Sequence, residues 1–350
     1  LQSLTGPVGM ARIVLGIGCS HTPQLHTPAE LWEIRAKRDT EDGLPLWYRG
    51  ERLKYADVAG KRLAENLGSQ TALETRQQRL AAANRAIDEL AELFARVRPD
   101  ITVIFGNDQG EMFLDDLKPG FTIMGAESFE NMPRTDDQKD RLPPGIALAD
   151  VGHLPEESTI TLPGHPPLAR HLSDYATDND FDVAFSHRQF RPDPARAQTS
   201  GMPHSYGFVY KQIMREFATP HVPIDTNTVF PPNQPRASRC YAFGRAIGAA
   251  IESWEEDARV CVIASGGLSH FVVDEAFDRD IMAAMARNDF EHLLSYHEGY
   301  FQAGSSEIKS WIAAGGAMHN AALEGRVVDY QALYRTPGGT GSSAAFMAWE

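Results

Sequence analysis

Ile13-Val14-Leu15-Gly16-Ile17-Gly18-Cys19-Ser20-His21-Thr22-Pro23 is an apolar run that stops on a polar tripeptide. An unbroken apolar run of this length reads as a strand buried on both faces, as in a parallel sheet covered by helices. Pro23 has no backbone N–H and ends the pairing there. In open α/β sheets ligands sit in the crevice beyond the strand ends. His21 is therefore placed like a site residue. A second stretch repeats the design, with Val260-Cys261-Val262-Ile263-Ala264 running into Ser265-Gly266-Gly267-Leu268-Ser269-His270.

Working outward, Leu73, Leu80, Ala83, Ile87, Leu90, Phe94 and Val97 recur at helical spacing over residues 72–97. Pro99 ends that helix. Ile101-Thr102-Val103-Ile104-Phe105 follows as a strand and stops at Gly106-Asn107-Asp108-Gln109. The alternation continues with a helix at 166–177, a strand at 181–185, a helix at 207–217, a strand at 222–226, a helix at 236–252 and a strand at 259–264. Helices at 274–288, 290–301 and 306–323 close the pattern. Helices alternating with strands over short connections predict an α/β fold. We expect a mostly parallel central sheet flanked by helices, in a single large domain over residues 11–350 with loop and helical excursions. The excursions are residues 26–70, read as irregular with short helices folding over the sheet, and the Pro-, Asp- and Gly-rich residues 130–166. Residues 1–10 lack a basic and an apolar signal region and read as an added leader ahead of Met10.

The balance of charge narrows the function. The net charge is −14 and no Lys/Arg block is present, which argues against nucleic acid and an anionic membrane surface as partners. It leaves room for an anionic small substrate, because a few cationic side chains reverse the field inside a cleft. Three widely spaced cysteines, Cys19, Cys240 and Cys261, read as reduced thiols and a cytoplasmic location. No apolar stretch reaches the ~18 residues of a membrane span. There is no Gly-x-Gly-x-x-Gly after a strand, no phosphate loop, no His-Glu-x-x-His and no Cys-x-x-Cys.

Each candidate residue carries a plain reading beside the functional one. His21 is either a ligand or base, or a rim histidine bonded to a carbonyl. Asn107, Asp108 and Gln109 suit a turn cluster capping the next segment. Ser269 and His270 are adjacent and so face opposite ways on a strand, which rules them out as a nucleophile–base pair. Gly304-Ser305-Ser306-Glu307 fits a capping box, with Gly304 as N-cap and Glu307 at N3. His204, in Met202-Pro203-His204-Ser205, is unremarkable alone. Together, however, several strands end in His, amide or Gly-Gly-x-Ser-His, and one helix start offers a carboxylate. Two nitrogen or amide ligands with one carboxylate leave the open positions that non-haem Fe(II) enzymes use for substrate and O2.

The order Gly-x-Gly-Cys-Ser-His-Thr-Pro at residues 16–23, Gly-Asn-Asp at 106–108, Gly-Gly-Leu-Ser-His at 266–270 and Gly-Ser-Ser-Glu at 304–307 resembles the class III extradiol ring-cleavage dioxygenases. That family includes the catalytic subunit of protocatechuate 4,5-dioxygenase and the gallate and 3-O-methylgallate dioxygenases. The resemblance runs from Arg12 to about Gly325. It implies Fe(II) as cofactor, held by His21, Glu307 and a third residue. It implies His270 as acid–base catalyst and His204 as a second histidine in the substrate pocket. The family has a histidine ligand after Asn-Asp where this chain has Gln109, which marks a divergent branch. Gln109 as an amide ligand, Glu111 as its replacement, and weakened metal binding are the three readings of that departure, in this order. The activity implied is extradiol (meta) cleavage of a catecholic, carboxylated aromatic compound by O2, with both oxygen atoms entering the product. Arg236, Arg239 and Arg245 are the candidates to clamp the substrate carboxylate. A homo-oligomer, most simply a dimer, is the expected assembly. The alternatives are a metal-dependent hydrolase and a non-catalytic binding protein on the same fold with altered metal ligation.

Overall fold

Strand ends decide where chemistry can sit, so the sheet is traced first. The computed structural model describes residues 9–41 and 45–350; most of the expected leader lies outside the described residues. In chain order the strands are β1 (Arg12–Cys19), β2 (Leu46–Tyr48), β3 (Glu51–Leu53), β4 (Ile101–Gly106), β5 (Phe121–Met124), β6 (Ser128–Asn131), β7 (Ile160–Pro163), β8 (Ala184–Ser186), β9 (His221–Thr226), β10 (Arg259–Ser265), β11 (His270–Val272), β12 (Gly325–Tyr334) and β13 (Thr340–Trp349). β1, β10, β4 and β9 lie side by side and parallel. Cys19 is level with Ser265, Ala264 with Phe105, and Gly106 with Asp225, so their carboxyl ends share one edge. β5 continues the sheet antiparallel to β9, and β8 pairs with β5. On the other flank β13 runs antiparallel to β1, β11 and β12.

Both faces of the sheet are covered, as the unbroken apolar strands require. Val103 and Phe105 of β4 face one core with the helices Pro166–Asp178, Ala237–Glu252 and Ile308–Met318. Ile104 faces the other, packed with Leu90 and Phe94 of the helix Leu73–Val97. Helices Ala237–Glu252 and Ile308–Met318 touch backbone to backbone. A Cβ on Gly244 would stand 1.9 Å from the Ala313 carbonyl oxygen, and one on Gly248 2.1 Å from that of Ala317. This close crossing fixes where the second helix begins, immediately after Glu307.

The α/β class and the single domain with a mostly parallel sheet match the expectation; the chain end does not. After residue 323 the sequence reading assigned nothing, whereas the structure places the long hairpin β12–β13 there. All ten residues of β13, Thr-Gly-Ser-Ser-Ala-Ala-Phe-Met-Ala-Trp, are buried. A strand buried on both faces shows no alternation, and Gly, Ser and Ala carry little strand propensity. The expected strand at 181–185 shortens to β8, and the expected helix at 290–301 stops at Leu294. The expected helix at 207–217 is a short helix, His204–Phe208, continued by a π-helical turn, Val209–Met214. Residues 26–70 carry short helices and the β2–β3 hairpin, and they do dock on the sheet. Arg62 donates to the Val273 and Gly339 carbonyls and Arg335 to Asp39. Among the described residues no helix is long and apolar enough to cross a membrane.

Candidate active site

The carboxyl ends of β1, β4 and β10 deliver His21, Gln109 and the Gly266-Gly267 turn to one place, and the start of the helix Ile308–Met318 delivers Glu307. His21, Glu307 and His270 are all buried. His21 Nε2 stands 3.3 Å from Glu307 Oε2, and His270 Nε2 stands 3.7 Å from Glu307 Oε1. The Gly267 N–H donates to Oε2 at 2.5 Å, and the Gln109 amide nitrogen donates to Oε1. Each carboxylate oxygen of Glu307 thus meets one N–H donor and one imidazole. The expected capping box is overturned: neither Gly304 nor Glu307 makes a side-chain cap, because the Glu307 carboxylate is turned into the site.

Hydrogen bonds assign the tautomers. Ser265 Oγ donates its one proton to the Ser205 carbonyl, so toward His21 Nδ1, 2.9 Å away, it accepts. Neutral His21 therefore carries its proton on Nδ1 and leaves Nε2 bare, while the charged ring carries a second proton on Nε2, toward Glu307. His270 Nδ1 faces the Leu268 carbonyl at 2.9 Å, with the same result. Burial pulls the His21 imidazole below its ordinary pKa, against the pull of Glu307. Burial pushes the Glu307 carboxyl up, but His21 and then His270 more than reverse this and hold it well below the usual range.

His204 forms a second, neighbouring unit. Its ring lies edge-on to His21 with centroids 4.7 Å apart. Glu111 accepts from His204 Nδ1 at 2.5 Å and from the His204 backbone N–H at 3.2 Å. Burial pulls His204 down, yet the Glu111 charge and hydrogen bond outweigh it and its pKa lies above the ordinary value. Glu111 is buried, and with His204 opposite its own pKa is lowered. Two residues earlier, Asp108 accepts from the backbone N–H groups of Gly110, Glu111, Met112 and Phe113, the turn role expected of it. Burial, then the nearby Glu111, raises its pKa to about 6.

The structure brings His21, Gln109, His204, His270, Glu307 and Glu111 together, but not the three arginines. Arg239 lies over the Phe181 ring, 3.9 Å from its centroid, and donates to the Asp180 carbonyl. Arg245 donates to Asn320. Arg236 sits exposed at the start of the helix Ala237–Glu252, which follows the carboxyl end of β9. His153 was missed by the sequence reading. It is buried on the short helix Asp150–His153, with its ring centroid 5.6 Å from that of His204. Nothing in its sequence surroundings marks it. Ser265 was quoted only as the end of a strand, yet it fixes the His21 tautomer.

Among the described residues no three His, Cys, Asp or Glu side chains stand ready-spaced as a metal-holding set. The donor chemistry nevertheless fits a cation. The buried His21 Nε2 has no hydrogen-bond partner. With each Nδ1 turned to an oxygen, both Nε2 atoms aim at the Glu307 carboxylate, where either a proton or a metal ion satisfies the imidazole and carboxylate together.

Comparison with known proteins adds independent information. Residues 68–347 match the family described as the catalytic LigB subunit of aromatic ring-opening dioxygenase. A gallate dioxygenase of Pseudomonas putida is 30% identical over 131 residues, 37% of this chain and 35% of that protein. A 2,3-dihydroxyphenylpropionate/2,3-dihydroxicinnamic acid 1,2-dioxygenase of Comamonas testosteroni is 28% identical over 191 residues, 55% of this chain and 47% of that protein. The matched stretch is less than half the length of either relative.

Proposed function

This chain belongs to the family of catalytic LigB subunits of aromatic ring-opening dioxygenases, and from that premise we propose that it cleaves a catecholic aromatic ring beside its two hydroxyls, using O2 and Fe(II). One observation carries the proposal. Two Nδ1-anchored imidazoles, His21 and His270, present bare Nε2 atoms to the two oxygens of the buried Glu307 carboxylate. A buried carboxylate flanked by imidazole nitrogens is the mixed nitrogen-and-carboxylate chemistry on which non-haem iron enzymes are built. His21 and Glu307 would hold the iron, which when bound supplies a Lewis-acid centre where diol and O2 are held side by side.

The chain's own residues do the remaining work. Gly267 and Gln109 fix the Glu307 carboxylate by their N–H donors. A catechol must lose a proton to become reactive, and an imidazole near neutrality accepts and returns one efficiently. We assign this role to His204 and His270, whose Nδ1 atoms are engaged by Glu111 and the Leu268 carbonyl. Glu111 holds the His204 ring in one orientation and one tautomer. Burial of the cluster excludes bulk water from the reacting groups. For a carboxylated substrate we keep Arg236 as the candidate clamp ahead of Arg239 and Arg245, which are engaged by Phe181 with Asp180 and by Asn320. A soluble cytoplasmic protein acting as a dimer is the setting we propose.

The test is anaerobic purification, loading with Fe(II), and exposure to O2 with catechol, 3,4-dihydroxybenzoate and 3,4,5-trihydroxybenzoate. Iron-dependent yellow ring-fission product with matching O2 uptake is expected. An iron-loaded protein that binds these phenols and leaves them intact is the binding-protein alternative; an iron-loaded protein that hydrolyses an ester and leaves the ring closed is the hydrolase.

A further inference from the structure

We infer that His270 supplies the second imidazole of the metal set, which Gln109 does not provide, so that the ligands are His21, His270 and Glu307 and the proton-carrying role falls to His204. This rests on the iron-site reading above and departs from the role that the sequence resemblance implies for His270.

Gln109 is committed elsewhere. A carboxylate only accepts hydrogen bonds, so the amide group facing Glu307 Oε1 must be the nitrogen, and the amide oxygen is turned away from that atom. Gln109 thus orients the carboxylate as a hydrogen-bond donor. His270, by contrast, has the marks of a ligand. Metal-binding histidines give their other N–H to a carbonyl or carboxylate, which fixes the ring and bares the second nitrogen. His270 Nδ1 does this with the Leu268 carbonyl, and His21 Nδ1 does it with Ser265. The two Nε2 atoms then meet the same carboxylate from its two oxygens, at 3.3 and 3.7 Å.

The His270 ring is also held without slack. A Cβ on Gly267 would lie 2.6 Å from its Cε1, and one on Gly304 would lie 2.2 Å from its Cδ2. Glycine backbone flanks the ring on two sides, and Ser305 Oγ, set against both the His270 N–H and its carbonyl, pins the backbone that carries it. A ring held this tightly suits a fixed ligand better than a group that follows a moving proton. His204 is the more exposed of the two, 15% of its side chain against 9%, and its Nδ1 is engaged by Glu111. It is the imidazole a substrate hydroxyl reaches.

Metal affinity tests this without reference to turnover. Wild type, His21→Ala, His270→Gly and Gln109→Ala are loaded anaerobically with Fe(II), desalted and assayed for iron, with affinity read by ferrozine competition. His270→Gly and His21→Ala should each lose Fe(II) affinity by ~100-fold, at least the cost of disturbing a ligand's support. Gln109→Ala should change it less than ~10-fold, and free imidazole should restore iron to His270→Gly. His270→Gln, of similar length, carries the same expectation if the glycine variant melts early by circular dichroism. The inference is overturned if His270→Gly and His270→Gln both retain wild-type affinity, or if Gln109→Ala falls as far as His21→Ala. Wild type that takes up no iron overturns the iron-site reading itself, and the inference with it; wild type that takes up iron alongside unaffected His270 variants overturns the inference alone.

Discussion

The parallel strands β1, β4 and β10 and the hairpin strand β13 contribute to the same site in opposite ways. Each parallel strand runs into a functional residue just past its carboxyl end and leaves the spacing between those residues loosely set. β13 contributes no functional side chain, yet it is bonded to both histidine-bearing segments. Ser20 and Ala345 exchange two hydrogen bonds at 3.0 Å, one residue before His21. Three residues away, Ser342 pairs with His270 itself, and Ser343 donates to the Ser269 carbonyl. One set of strands supplies chemistry; a single strand supplies the distance between two imidazoles. A site can therefore be damaged through either, and the signatures differ.

The largest effect should come from the chemistry. Glu307→Ala should abolish Fe(II) retention and, by leaving the Gly267 and Gln109 donors without their acceptor, lower the unfolding free energy by about 1–3 kcal/mol for an orphaned donor. Full iron in this variant, or global unfolding, contradicts the assignment.

Stability at the far edge of the sheet should depend on pH through His221, at the amino end of β9. Burial lowers its pKa to about 4. The unfolded chain binds that proton near pH 6.5, so the stabilisation is fully present above 6.5 and is lost as pH falls through 4. The difference corresponds to about 3 kcal/mol. Chemical denaturation at pH 7 and pH 4 should show the loss in wild type and a smaller one in His221→Phe. Iron binding plays no part, which separates scaffold from site.

Glu111→Gln should keep iron and lower kcat by ~10²-fold, the low end for an acid–base group, since His204 loses the charge that holds it. Initial-rate kinetics on iron-replete protein decide this, and a change confined to KM would make Glu111 a substrate contact instead. The smallest effect should come from the strand that sets the distance. Ser20→Ala leaves the Ala345 N–H without its acceptor, which costs about 1–3 kcal/mol. Iron affinity should fall measurably in the same variant although Ser20 touches no ligand. If affinity is untouched, the claim that β13 sets the spacing fails.

The legible parts of the molecule share a physical cause. β1, β4, β9 and β10 are rich in Val and Ile, and their boundaries by polar or Gly residues are sharp. His21, His270 and Glu307 stand at such boundaries, so their place was readable before their partners were. β13 was silent because a strand buried on every side between neighbours uses Gly, Ser and Ala, which carry no period. His153 was silent because it sits in a Pro- and Gly-rich excursion whose folding is decided by distant contacts, such as the Asn131 amide donating to its carbonyl. The arginines show the reverse error: Arg239 and Arg245 have the right chemistry for a carboxylate clamp, but helix phase turns them to Phe181 and Asn320.

β13 also ties the lifetime of the site to local opening of the hairpin. Hydrogen exchange resolves such openings segment by segment, and a ligand that binds only the closed form slows exchange wherever opening would release it. Iron held between His21 and His270 should therefore protect the amides of Ser343 and Ala345, which lie in the ladder and not in the metal set. The carboxyl ends of β4 and β9 should respond less. A slowing confined to the C-terminal hairpin would report the metal from a strand that never meets it.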